Sequence, residues 1–107
     1  MAQPRIGRRA MRESLDEPVS IIWFYNAKSR HMQPYRMSWN GQEYNLGKID
    51  FWHKTKHGDT LIHHFSIADA QGQAYFKLAL NTDTLQWVLE EYMTANDMRI
   101  EYERSAA

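Results

Sequence analysis

Along this chain the spacing of apolar residues changes character several times. Met1 to about Glu17 holds Pro4, Gly7 and a run of charges with few large apolar groups, which predicts a flexible basic tail over residues 1–17. Pro18 then marks the start of a domain running to about residue 104. Val19–Tyr25 (VSIIWFY) is β-branched and aromatic at almost every position, the texture of a strand buried on both faces. After a polar loop, Tyr35–Trp39 alternates and runs into Asn40-Gly41, a strong hairpin signal. With those two as turn residues, Trp39 faces Gln42, Met37 faces Tyr44 and Tyr35 faces Leu46.

The next strand changes phase. Tyr44 and Leu46 are even-numbered, whereas Ile49, Phe51 and His53 carry the apolar series onward at odd positions. A strand cannot change face without an extra residue, so a bulge or sharp bend is expected at Gly47-Lys48. Pairing Ile49 with Ile67 and Phe51 with Phe65 leaves His57-Gly58-Asp59 as a three-residue loop and sets His53 opposite His63. A turn at Gln71-Gly72 brings Ile67 to Phe76 and Phe65 to Leu78. The last segment has two readings. Leu85, Val88, Leu89, Tyr92 and Met93 follow helical spacing, with Asp83 and Gln86 as a capping box, and periodicity favours helix. As a strand, Leu85–Met93 alternates less well. Met98–Tyr102 alternates and suits a short final strand, and Ser105–Ala107 should fray.

The fold class expected is therefore mainly β: a small, bent antiparallel meander or partly open barrel with a C-terminal helix or strand. Its core should contain Ile21, Trp23, Met37, Tyr44, Leu46, Ile49, Phe51, Phe65, Ile67, Phe76, Leu78 and Leu89.

Length limits the chain of 107 residues to one such domain. Without cysteine it has no disulfide, thiolate metal site or thiol nucleophile. No run approaches a membrane-spanning length or a signal-peptide core, so a cytoplasmic domain without membrane contact is expected. Thirteen basic and thirteen acidic residues cancel, but unevenly. Residues 1–58 hold ten Lys/Arg and five Asp/Glu, a charge of +5; residues 59–107 hold three and eight, a charge of −5. Any attraction to an anionic partner must then be local.

Candidate chemistry is sparse. His53 and His63, with His57 or His64, invite a metal site, but His63 and His64 point to opposite faces of a strand and His31 is remote. Read structurally, His53 and His63 rim the core while Trp52 and His64 pair on the other face. No nucleophile elbow, zinc-protease helix or phosphate-binding glycine loop is present, so no catalytic residue and no cofactor is expected. Glu90-Glu91 reads as a solvated pair. Arg36, Lys54, Lys56 and Lys77, interleaved with Trp52 and Tyr75, would form a basic, aromatic sheet face. Such a face grips single-stranded nucleic acid, and Arg5, Arg8, Arg9 and Arg12 would add a basic arm. Lysines and aromatics also suit strands with no ligand at all. The leading expectation is a non-catalytic interaction module, binding a protein partner or a second copy of itself as a homodimer, with nucleic-acid binding as the alternative.

The run Pro34–Leu46 (PYRMSWNGQEYNL), with Trp52, Phe76-x-Leu78 and Trp87-x-Leu89-Glu90, resembles a small bacterial β-domain family of unknown function. Its members are often encoded near Y-family-type DNA polymerase genes. Gln42 stands here where the family often has a basic residue. The resemblance implies a strand over Leu85–Met93 and a link to DNA repair, and it brings no catalytic residues.

Overall fold

A computed structural model describes residues 13–94. They form six antiparallel strands: β1 Glu13–Asn26, β2 His31–Trp39, β3 Gln42–His57, β4 Thr60–Asp69, β5 Ala74–Asn81 and β6 Trp87–Thr94. Each strand pairs with the next, and β1 returns to β6, so the meander closes into a barrel. One strand serves two neighbours. Glu13–Val19 of β1 pairs with β6, while Ser20–Asn26 pairs with β2. Because the chain runs up and down, the turns at 27–30, 58–59 and 82–86 share one end, here the upper end. The turns at 40–41 and 70–73 share the lower end.

Two hairpins follow the expected register. Asn40 and Gly41 both take positive φ (55° and 78°), the type I′ pattern that matches strand twist. Met37 faces Tyr44 and Trp39 faces Gln42. Across the next turn but one, Phe65 faces Leu78 and Ile67 faces Phe76. The expected break at Gly47 is also present, since the β3–β4 register shifts between Leu46 and Ile49.

Further bulges account for the expectations that are overturned. A second shift lies between Ile49 and Phe51, and above it Trp52, not Phe51, faces Phe65. Phe51 is turned out of the core, with 58% of its surface exposed. The hairpin then closes on two residues rather than three: His57 pairs with Thr60, and Gly58 takes φ +65°. His53 consequently stands opposite His64, not His63. A shift at Ile22/Trp23 puts Trp23 opposite Pro34 and turns Tyr35 outward. The Tyr35–Leu46 pair is therefore not formed.

The helical reading of Leu85–Met93 also fails, and strand β6 occupies Trp87–Thr94. A bulge explains the misleading spacing. Leu78 faces Leu89 but its neighbour Lys77 faces Glu91, so Glu90 is the extra residue. Inward-facing Leu89 and Tyr92 thus sit three apart, as they would on a helix. The proposed capping box is a turn, in which Asn81 Oδ1 accepts from the backbone N–H groups of Asp83 and Thr84. Leu85, left-handed at φ +62°, is exposed.

Met37, Phe65, Ile67, Phe76, Leu78 and Leu89 are fully buried, with Leu46, Leu80 and Trp87 beside them. Ile21, Tyr44 and Ile49 pack around this cluster as half-buried residues. Trp23 does not join it in full, because 38% of its surface stays exposed. Among the described residues no second layer covers the outer side of the sheet at Val19–Tyr25, so Ile22 and Phe24 face out. Residues 13–17, assigned to the tail by their polarity, are strand residues of β1. Arg5, Arg8, Arg9, Arg12 and Met98–Tyr102 lie outside the described residues.

Candidate functional site

The β2–β3 ladder is the shortest of the six. β2 and β3 pair from Trp39↔Gln42 to Arg36↔Asn45 at the lower end. Beyond that point β2 continues to His31 and β3 to His57 without pairing to each other. Where the ladder stops, the Gln33 side-chain amide bridges the gap, donating to the Gly47 carbonyl at 3.3 Å and to the Pro34 carbonyl at 2.7 Å. Above it lies a cleft of about 450 Å³ lined by Phe24, His31, Met32, Lys48, Phe51 and Trp52, among others. The barrel is a ring closed at the bottom with an open seam at the top.

Exposed apolar surface collects around this seam. Phe51 stands on one side. Phe24 stands on the other, edge-on to Tyr35 at 5.9 Å. Ile22, also exposed, lies on the same outer side of β1 as Phe24. Cations lie at the same end of the barrel. Asn26 Oδ1 accepts from Lys28 and Ser29 N–H groups, and the Arg30 N–H donates to the Asn26 carbonyl at 2.7 Å. That tight turn places Lys28 and Arg30 at the upper end, toward which Lys54 and Lys56 of β3 also run. Lys48 lines the cleft itself. All five are exposed, and their acidic neighbours on β3 and its turn are Asp50 and Asp59.

The sequence-predicted nucleic-acid residues are therefore divided. Trp52 does not face outward; it stacks on Phe65 at 5.7 Å, and its Nε1–H donates to His63 Nδ1 at 2.9 Å. Lys54 and Lys56 alternate with Trp52 and share its side of β3, but they lie above the core at the rim. Tyr75 and Lys77 are on the outer face of β5, where Lys77 pairs with Glu91 at 3.7 Å. Arg36 lies beyond the seam, opposite Ile22 of β1. No continuous basic face joins these groups. Phe24, Tyr35, Lys28, Arg30 and Lys48 were not singled out as site residues. The cue available in sequence was an apolar strand, Val19–Tyr25, preceding a basic turn.

The histidines occupy two environments. His53 and His64 stack outside the barrel, with ring centres 4.6 Å apart. His64 links three strands: Nε2 meets Thr55 Oγ1 at 2.7 Å and Nδ1 meets Glu90 Oε1 at 3.1 Å. The order hydroxyl–imidazole–carboxylate resembles a nucleophile, base and orienting acid. Here it joins β3, β4 and β6 on the outer face and ties Glu90, which the sequence left as solvated. Among the described residues no group of three or more ligands is placed to hold a metal, and His53 and His63 lie on opposite faces.

His63 faces inward. Burial lowers its pKa first, with the nearby Lys54 ammonium and His64 acting in the same direction. Its Nδ1 accepts the Trp52 bond, so adding a proton there would break it. A lowered folded-state pKa favours the neutral form. The resulting stability is present in full above the unfolded value near 6.5 and is lost as pH falls from there through the folded-state value. Thermal melting should fall over that acid range, and His63→Gln should flatten this part of the pH profile.

Among the described residues no helix is long and apolar enough to cross a membrane. No protein-family model, curated protein or solved structure matches the chain.

Proposed function

We propose that the protein is a non-catalytic binding module that takes a protein partner on the aromatic surface around the open seam. The observation that carries this reading is a cleft between two strands with exposed Phe24 and Phe51 on its walls, Tyr35 against Phe24, and Ile22 exposed on the same outer side of β1. Exposed large apolar groups are ordinary when scattered, whereas a contiguous group rimmed by charge is the usual make-up of an interface. Aromatic rings also bury much area for few lost rotamers, which favours them as anchors.

The test is selection of peptides from a random library by the full chain, alongside the variant Phe24→Ser/Phe51→Ser. Both positions are outside the core, so the variant should melt within a few degrees of the parent. Enriched peptides should bind the variant about tenfold or more weakly, a loss of roughly 1.4 kcal/mol. Peptides that bind both proteins equally, or no enrichment at all, would remove this surface from consideration. A single-stranded oligonucleotide measured in parallel distinguishes the nucleic-acid alternative. Salt-sensitive binding of the oligonucleotide with no peptide enrichment would favour that alternative.

A further inference from the structure

We propose that the partner is an extended, acidic polypeptide segment that adds as a strand to the free edge of β3 inside the open seam. This rests on the binding-module reading above and specifies its ligand. The two-residue turn at Gly58-Asp59 determines which backbone groups of β3 have no strand partner among the described residues. Residues flanking such a turn exchange both hydrogen bonds, and pairs then alternate between bonded and non-bonded along an antiparallel ladder. His57↔Thr60, Thr55↔Ile62 and His53↔His64 are therefore the bonded pairs, while Lys56↔Leu61, Lys54↔His63 and Trp52↔Phe65 are not. The N–H and C=O groups of Trp52, Lys54 and Lys56 consequently point away from β4, toward the seam. β2 has already parted from β3 at this height.

An edge with alternating donors and acceptors matches another polypeptide backbone, which supplies both. A DNA phosphodiester backbone supplies acceptors alone and would leave the edge carbonyls unmet. The ring on the edge strand is not free for a base, since Trp52 is stacked on Phe65 and meets His31 edge-on. Charge narrows the class of peptide. Lys48 lines the cleft, Lys54 and Lys56 stand on the edge strand itself, Lys28 and Arg30 are in a turn at the same end of the barrel, and among the described residues none of them is in an ion pair. Lysines on an edge strand deter casual self-pairing. They also select a strand that carries carboxylates, by charge complementarity.

The probe is a synthetic peptide of about nine residues alternating Glu with Val, its ends blocked, titrated into the full chain. Salt should weaken its binding. Lys54→Pro removes an N–H aimed at the seam and breaks no bond to β4, so the variant should fold while affinity falls about tenfold or more. Lys54→Glu/Lys56→Glu should lose a similar factor and keeps the test valid if proline unfolds the strand. N-methylation of alternate peptide amides should abolish binding in one phase and spare it in the other. On binding, amide exchange should slow at Trp52, Lys54 and Lys56. Equal binding by both N-methylated peptides, or no effect of either variant, would overturn strand addition. If library peptides still depend on Phe24 and Phe51 but the alternating probe does not bind, strand addition falls and the binding-module reading stands. If a single-stranded oligonucleotide binds at the seam and the probe does not, both fall.

Discussion

Replacing Phe65 with alanine is expected to remove about 3–5 kcal/mol of stability, the largest loss of any single substitution considered for this barrel. Phe65 is fully buried and its ring lies between Trp52 at 5.7 Å and Trp87 at 5.6 Å. Truncation leaves a cavity walled by two rigid indoles on different strands, and neither can move in without dragging its backbone. A domain of this size commonly holds about 5–15 kcal/mol in total, so the variant should sit near the edge of folding at room temperature. Urea unfolding of Phe65→Ala and Phe65→Leu measures this. A loss under about 1.5 kcal/mol for the alanine variant would mean that the barrel interior repacks freely, contrary to the geometry seen.

Gly47→Val is expected to cost about 1–3 kcal/mol for a different reason. A Cβ at Gly47 would meet the Ala68 carbonyl oxygen at 3.3 Å and that of Asp69 at 3.4 Å. Both obstacles are backbone, and nearby the Ala70 N–H is held by the Asn45 carbonyl at 2.7 Å. The neighbours cannot rotate away as a side chain would, so β4 must retreat from β3 where the strand changes face. Thermal melting of the alanine and valine variants checks the ordering, with alanine the milder. Stability equal to the parent for both would show that the close approach is not a constraint.

Where the alternation is unbroken, the fold was legible in the residues. Asn40-Gly41 and Gln71-Gly72 fix their hairpins because the turn type is written in the turn residues, and the Gly47 break appears as a change of parity. The other bulges carry no such mark. At Asp50 and Glu90 the extra residue is an ordinary polar side chain, indistinguishable from an outward strand position. One unseen residue in each strand was enough: Asp50 sends Phe51 outward and brings Trp52 inward, and Glu90 turns β6 into an apparent helix. The candidate site was less legible still. An open seam comes from two strands ceasing to pair, and pairing between β2 and β3 above Arg36 is a property of backbone paths, not of any motif. Lys54, Lys56 and Trp52 were singled out by residue type, but the sheet face assumed for them depended on the register. The cluster of Phe24 with Tyr35 depends on the bulge that turns Tyr35 out.

The ring closure between β1 and β6 has a kinetic consequence. The other five pairings join strands consecutive in the chain, so each hairpin can form with a short loop and little entropy cost. Val19 must instead find Trp87 across most of the domain. Folding rate should therefore be governed by that single long-range encounter. A destabilising change within the Asn40-Gly41 hairpin would mainly speed unfolding if that hairpin forms after closure, and would slow folding if the closing strands need it in place.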